Sequence, residues 1–226
     1  MLQFRRATRA KLVSLGVPPA VLEGVERATI MRNKASVFVE QGFSEKDGER
    51  FRREMDVFLS VYELDSAKAS VLFPDCVSTL ETIRELGARI GLVTNTSKQA
   101  VDIVFETHGI GHFFDVVVTR DCVRRLKPDP EGILLAVKKL GVKRFYMVGD
   151  LILDVLAAKS SRGVAILASR EVNKLNARDA FKSLPEEVLR EFQTTLGARE
   201  ALRIDYVIQS LSEIPAIIQA DRLKAY

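Results

Sequence analysis

The chain has 226 residues, 47% of them apolar and 28% charged, with a formal net charge of +4. That balance describes a folded, globular protein with enough chain for one sizeable core, and it excludes a disordered one. Lys and Arg are spread without a basic block, no stretch nears the roughly 18 apolar residues of a membrane span, and Cys76 and Cys122 make no disulfide framework, so a cytoplasmic protein without nucleic-acid or membrane partners is expected.

Residues 1–72 carry helical period and nothing that reads as a strand. "LQFRRATRAKLVSLG" sets Leu2, Phe4, Leu12, Val13 and Leu15 among bases and stops at Gly16, with Pro18 beyond. "PPAVLEGVERATIM" opens with prolines, which suit a helix's first turn. "SEKDGERFRREMDVFLSVYELDSAKAS" predicts a long third helix with Ser44 as N-cap. From residue 73 the pattern changes to short apolar runs alternating with amphipathic helices. "STLETIRELG" is a helix ended by Gly87, "RIGLVT" a strand, and "SKQAVDIVFETHG" a helix capped by Ser97 and closed by Gly109. "FDVVVT" is a strand, "DPEGILLAVKKLG" a helix capped by Asp129, "RFYMVG" a strand and "LILDVLAAKSS" a helix. "GVAILA" and "DYVI" are the last strands and "LSEIPAIIQA" the closing helix, with a polar helical insertion expected at 170–203. Uniformly apolar strands alternating with helices predict an α/β fold, a doubly wound parallel sheet covered on both faces.

In such a sheet ligands sit beyond the carboxyl ends of the strands. "GLVTNTSK" delivers Thr94 and Asn95 there, next to a helix start near Ser97; "RLKPDPEG" delivers Lys127; "YMVGD" delivers Asp150, with Asp154 one turn on. A hydroxyl, helix-start amides, an ammonium and two carboxylates suit a phosphate together with a divalent cation such as Mg²⁺. Singly, each has a plainer reading: a turn and cap for Thr94 and Asn95, a surface lysine for Lys127, a helix cap for Asp150 and a solvated acid for Asp154. Asp154, however, lies inside an apolar run from Leu151 to Ala158, where a solvated acid is out of place. Arg120, Arg124 and Arg125 flank the lysine and read as a solvated loop or as an attraction for an anion. His108 and His112, with no cysteine nearby, do not read as a zinc site, and Cys122 reads as structural. Arg5, Arg6, Arg9 and Arg32 are candidate substrate contacts with nothing to order them.

These residues resemble the haloacid dehalogenase (HAD) superfamily, most closely over residues 73–168 and in the style of its phosphoglycolate phosphatase-like members. "GLVTNTSK", "LKPDPEG" and "MVGDLILDVLAAK" are similar to its second, third and fourth motifs. The resemblance implies a Rossmann-like core at 73–226 and an all-helical cap at 1–72, apparently truncated at its N-terminus. It implies Thr94 and Lys127 as catalytic and phosphate-binding residues with Asn95 beside them, Asp150 and Asp154 as Mg²⁺ ligands, and a small phosphorylated substrate.

One part of the family pattern is missing. Its first motif, Asp-x-Asp-Gly-Thr at the end of an early strand, supplies the attacking carboxylate, and no such sequence stands before residue 45. "YELDS" at 62–66 is a superficial match, but Glu63 replaces the nucleophile and the segment continues a helical pattern from Ser44. Omitting a central strand should leave an open slot in the sheet. Two expectations follow: a phosphatase whose nucleophile lies upstream of Met1, or a catalytically inactive relative serving as a phosphate/Mg²⁺-binding or protein-interaction module.

Overall fold

The computed structural model describes residues 2–169 and 203–223, together with positions 186, 189, 190 and 193. The expected insertion at 170–203 therefore lies almost wholly outside the described residues. Three helices come first: α1 (Leu2–Ser14), α2 (Ala28–Gly42) and α3 (Glu45–Lys68). Ser44 caps α3 as expected, its hydroxyl accepting the Asp47 amide. The second helix starts later than its prolines suggest. Pro19–Leu22 forms only a short 3-10 turn, and Gly24 then takes a φ of 71°. A glycine in the left-handed region ends a helix, so α2 begins afresh at Ala28 and runs through "ATIMRNKASVFVEQG".

The rest alternates. In order come α4 (Cys76–Glu85), β1 (Gly91–Val93), α5 (Lys98–His108), β2 (Val116–Val118), α6 (Glu131–Leu140), β3 (Tyr146–Gly149), α7 (Ile152–Ser160), β4 (Val164–Ala168), β5 (Tyr206–Ile208) and α8 (Ile214–Leu223). Ser97 caps α5 and Gly109 closes it at a φ of 66°. Asp129 accepts the Glu131 amide at 2.9 Å, while Pro130 occupies the cap position of α6 itself.

Every strand pairing is parallel, but the ladder is in two pieces, β1–β2 and β3–β4–β5. In an extended strand the amide and carbonyl of one residue point to the same edge, and successive residues alternate. Asp115 donates to the Ile90 carbonyl and Thr94 donates to the Val118 carbonyl, so even-numbered residues of β1 face β2. Gly91 and Val93 thus face the other, unpaired edge. By the same reasoning Val164 bonds the Phe145 carbonyl, which turns Tyr146 and Val148 to the unpaired edge of β3. The seam between β1 and β3 lies where the absence of a central strand was expected to leave a slot in the sheet.

Helices cover both faces of the larger sheet. Ala165 and Leu167 of β4 pack with α7, whose residues Ile152 through Lys159 are all buried. Ile166 and Ile208 point the other way, onto Ile214 and Ile218 of α8 and the partly buried Ile83 of α4. The first cluster also takes in Leu12, Met31, Ala35, Phe51 and Met55, so the N-terminal helices share one apolar core with α7. Each fully buried Leu, Ile, Val or Met contributes about 1.5–3 kcal/mol, which makes α7 a firmly held platform for whatever it carries. Among the described residues no helix is long and apolar enough to cross a membrane.

Candidate functional site

Lys127, in the loop between β2 and α6, is the hub. Its ammonium donates to the Val93 carbonyl at 2.7 Å and pairs with Asp154 Oδ1 at 2.7 Å. Val93 is on the unpaired edge of β1 and Asp154 is in the first turn of α7, so one side chain bridges the seam at the carboxyl ends of the strands. Asp154 is only 5% exposed. Its second oxygen accepts the Leu151 amide at 3.1 Å, which fixes the carboxylate against its own helix start. Gly149 makes room for it: a Cβ there would fall well inside contact distance of the Asp154 side chain.

Thr94 and Asn95 follow β1 directly. The Thr94 hydroxyl oxygen accepts the Thr96 amide at 3.1 Å, which leaves its proton to donate elsewhere. The Asn95 side chain is committed on both sides to the backbone of Lys127, donating to its carbonyl at 3.1 Å and accepting its amide at 2.9 Å. Those two bonds tie the loops after β1 and β2 into one piece. The first amides of α5, expected to be available to an anion, are already used. Ser97 donates to Glu63 Oε2 at 2.9 Å and Lys98 to Asp121 Oδ2 at 2.6 Å. Two carboxylates have taken the positive end of the helix, leaving the Thr94 hydroxyl and the Asn95 main chain nearer the seam.

Asp150 is exposed at the tip of β3. Direct bonds therefore join the Thr94–Asn95 loop, Lys127 and Asp154, whereas Asp150 enters none of them. Among the described residues no three His, Cys, Asp or Glu side chains gather as a metal cluster. A cation here would rest on two carboxylates with water and phosphate completing its shell, the donor set that suits Mg²⁺ rather than a closed structural site.

Sequence reasoning missed Arg120. Expected in a solvated loop, it is 1% exposed, and every part of its guanidinium is partnered. Nε donates to Asp56 Oδ1 at 3.1 Å, one terminal nitrogen to Glu63 Oε1 and the Asn95 carbonyl, and the other to the Asp56 carbonyl and Ser60 Oγ. Arg32, also buried, reaches Asp56 from α2 at 3.5 Å. Burial raises the Asp56 carboxyl above its ordinary range, against the pull of Arg32 and Arg120, and burial lowers Arg32. The signal was in α3: Asp56, Ser60 and Glu63 stand at i, i+4 and i+7, one polar stripe beside the buried Phe51, Met55 and Leu59. Glu63 is thereby accounted for as a helical residue held by Arg120 and Ser97, not a strand-end nucleophile.

The remaining candidates lie elsewhere. Arg125 pairs with Glu40 at 3.0 Å, Arg5 with Glu26 at 3.4 Å, and Arg9 donates to the Val25 carbonyl. His108 bonds Ser70 and His112 the Gly109 carbonyl. Cys122, expected to be structural, is exposed, although Arg120 of the same 3-10 turn is buried. A crevice of about 460 Å³, lined by Ile30, Asn33, Phe38, Arg125 and Pro128 among others but not by Lys127, opens between α2 and the loop before α6. Asn33 holds it in place by bonding both the amide and the carbonyl of Leu126.

Parallel strands with helices on both faces, and polar groups gathered at their carboxyl ends, define the Rossmann-like α/β class. Within that class, residues 25–168 match the family described as haloacid dehalogenase-like hydrolase, and the chain belongs to it. It is 38% identical over 107 residues to a phosphoglycolate phosphatase of Vibrio cholerae, covering 46% of this chain and 47% of that one. It is 41% identical over 85 residues to the pyrophosphatase PpaX of Bacillus velezensis, covering 37% of this chain and 39% of that one. The chain thus spans about half the length of these curated relatives, or less. The solved structure of a HAD phosphatase from Thermococcus onnurineus superposes with a TM-score of 0.53 at 23% identity, over 96% of this chain and 88% of that one, a likeness of fold.

Proposed function

We propose that this protein is a Mg²⁺-dependent phosphohydrolase acting on a small phosphate monoester in the cytoplasm, through an aspartyl-phosphate formed on a carboxylate supplied from upstream of Met1. The observation that carries this reading is the Lys127 ammonium lodged between the Val93 carbonyl and Asp154, with the Thr94 loop tied to the same lysine by Asn95. The seam supports the position of the missing part. Two unpaired parallel edges flank it, and a strand entering there would end beside Thr94, Lys127 and Asp154.

In this reading Thr94 donates its hydroxyl proton to a phosphoryl oxygen and Lys127 offsets negative charge between phosphate and attacking carboxylate. Asn95 keeps the two loops in register and offers its main chain to the phosphate. Asp150 and Asp154 would hold Mg²⁺, which when bound offsets phosphate charge. The crevice between α2 and the loop before α6 would receive the rest of the substrate, and the helices of residues 1–72 would act as the cap over it.

The 226-residue chain should turn over a generic aryl phosphate negligibly in Mg²⁺. A form extended upstream through an in-frame Asp-x-Asp-Gly-Thr should be active, and Lys127→Ala or Asp154→Asn should lower its kcat by roughly 10²–10³-fold. An in-frame stop directly before Met1 would sink the proposal, as would robust turnover by the present chain that Glu63→Gln or Asp65→Asn abolishes. Phosphate binding without turnover in the extended form would return the non-catalytic reading instead.

A further inference from the structure

The polar stripe of α3 does more than join helix to sheet. Three consecutive groups of the 94–97 loop are held by it or by the arginine it grips. The Asn95 carbonyl accepts from the Arg120 guanidinium at 3.3 Å, the Thr96 carbonyl from the Arg120 amide at 3.0 Å, and the Ser97 amide donates to Glu63 at 2.9 Å. Arg120 in turn is oriented by Asp56 and Ser60, which bond nothing in that loop directly. The guanidinium is planar, with donors in a fixed fork. A displacement of α3 therefore strains the bonds at Arg120 and Glu63 and bears on the backbone from Asn95 to Ser97.

We propose that Arg120 and Glu63 are positioning residues through which α3 sets the conformation of the 94–97 loop, so that Thr94 is aligned for an oxyanion only while α3 is docked. The proposal rests on the reading of Thr94 and Lys127 as phosphate contacts. Position of the N-terminal helices and affinity for phosphate then become linked quantities. Any substrate group that shifts α3 changes the phosphate site without touching it.

The informative variant is Asp56→Asn, which contacts Arg120 and Arg32 but no residue of the loop. Amide exchange followed by NMR on the full chain should show Ser97 and its neighbours exchanging at least tenfold faster in Asp56→Asn and in Glu63→Gln, with β4 amides unchanged. Titration with inorganic phosphate in Mg²⁺ should show several-fold weaker binding in both, and no smaller a loss in Glu63→Gln than in Asp56→Asn, since Glu63 holds the Ser97 amide directly as well as the arginine. If Asp56→Asn leaves the loop amides and phosphate affinity at wild-type values, the linkage is absent and the network is a structural staple. Arg120→Lys serves as a second variant and should loosen the loop likewise, because an ammonium cannot reproduce the fork. Thr94→Ala and Lys127→Ala separate the two ideas. Phosphate binding indifferent to both overturns the site reading, while the exchange data alone still decide the linkage.

Discussion

A single glycine illustrates how tightly the acid at the seam is held. Gly149 stands where any side chain would collide with Asp154, and Asp154 has a partner for each oxygen, the Leu151 amide and the Lys127 ammonium. Gly149→Ala forces the carboxylate to move and one of those partners to be lost. Overpacking of this kind costs about 1–3 kcal/mol, and urea unfolding should show it. Lys127 and Asp154 could be brought to one site from the sequence, the lysine for a phosphate and the acid for a cation, but their direct pairing could not. Arg120 could not. Its neighbours Thr119, Asp121, Arg124 and Arg125 are all polar, and nothing local distinguishes the buried base from the exposed ones. Removing one partner from such a buried set costs about 3–5 kcal/mol, so the residue least visible in the sequence is among the most consequential.

At the scale of elements, α1 and α3 are fastened at one acid. Glu54 of α3 accepts from Lys11 of α1 at 2.8 Å and from Arg50, one turn earlier, at 2.8 Å. Hydrogen bonds from Lys11 and then Arg50 hold its carboxyl at about 2. The folded value lies below the unfolded one of about 4.3, so the stabilisation is present above that unfolded value and is lost as pH falls toward 2. Thermal unfolding should find the wild type more stable than Glu54→Gln near neutrality, with the gap closing as the solution is acidified from about pH 5 to pH 2. A gap independent of pH would assign the effect to packing. Helix ends were legible because their signals are local, as at Ser44, Ser97 and Gly109. The start of α2 was not. Prolines at 18 and 19 permit a helix to begin, but a glycine five residues later stops it, and the pattern of apolar residues alone does not rank the two.

For the molecule as a whole, parallel strands in the expected order were legible from uniformly apolar runs separated by helices. The break between β1 and β3 was legible only as an absence in the family pattern. Periodicity reports that a strand is buried, not how many neighbours it has. At the seam β3 is half-buried throughout and β1 runs from an exposed Gly91 to a half-buried Val93, both without the prolines or bulges that usually protect an edge, and Lys127 is what spans them.

The interrupted ladder also bears on cooperativity. Backbone hydrogen bonds of β1–β2 and of β3–β4–β5 share no strand, so each group can open while the other stays closed. Native-state hydrogen exchange in dilute denaturant should therefore sort the strand amides into two isotherms. The β4 amides, backed by α7, should merge with global unfolding, and those of Val116–Val118 should merge at a lower free energy. A strand seated in the seam should fuse the two into one.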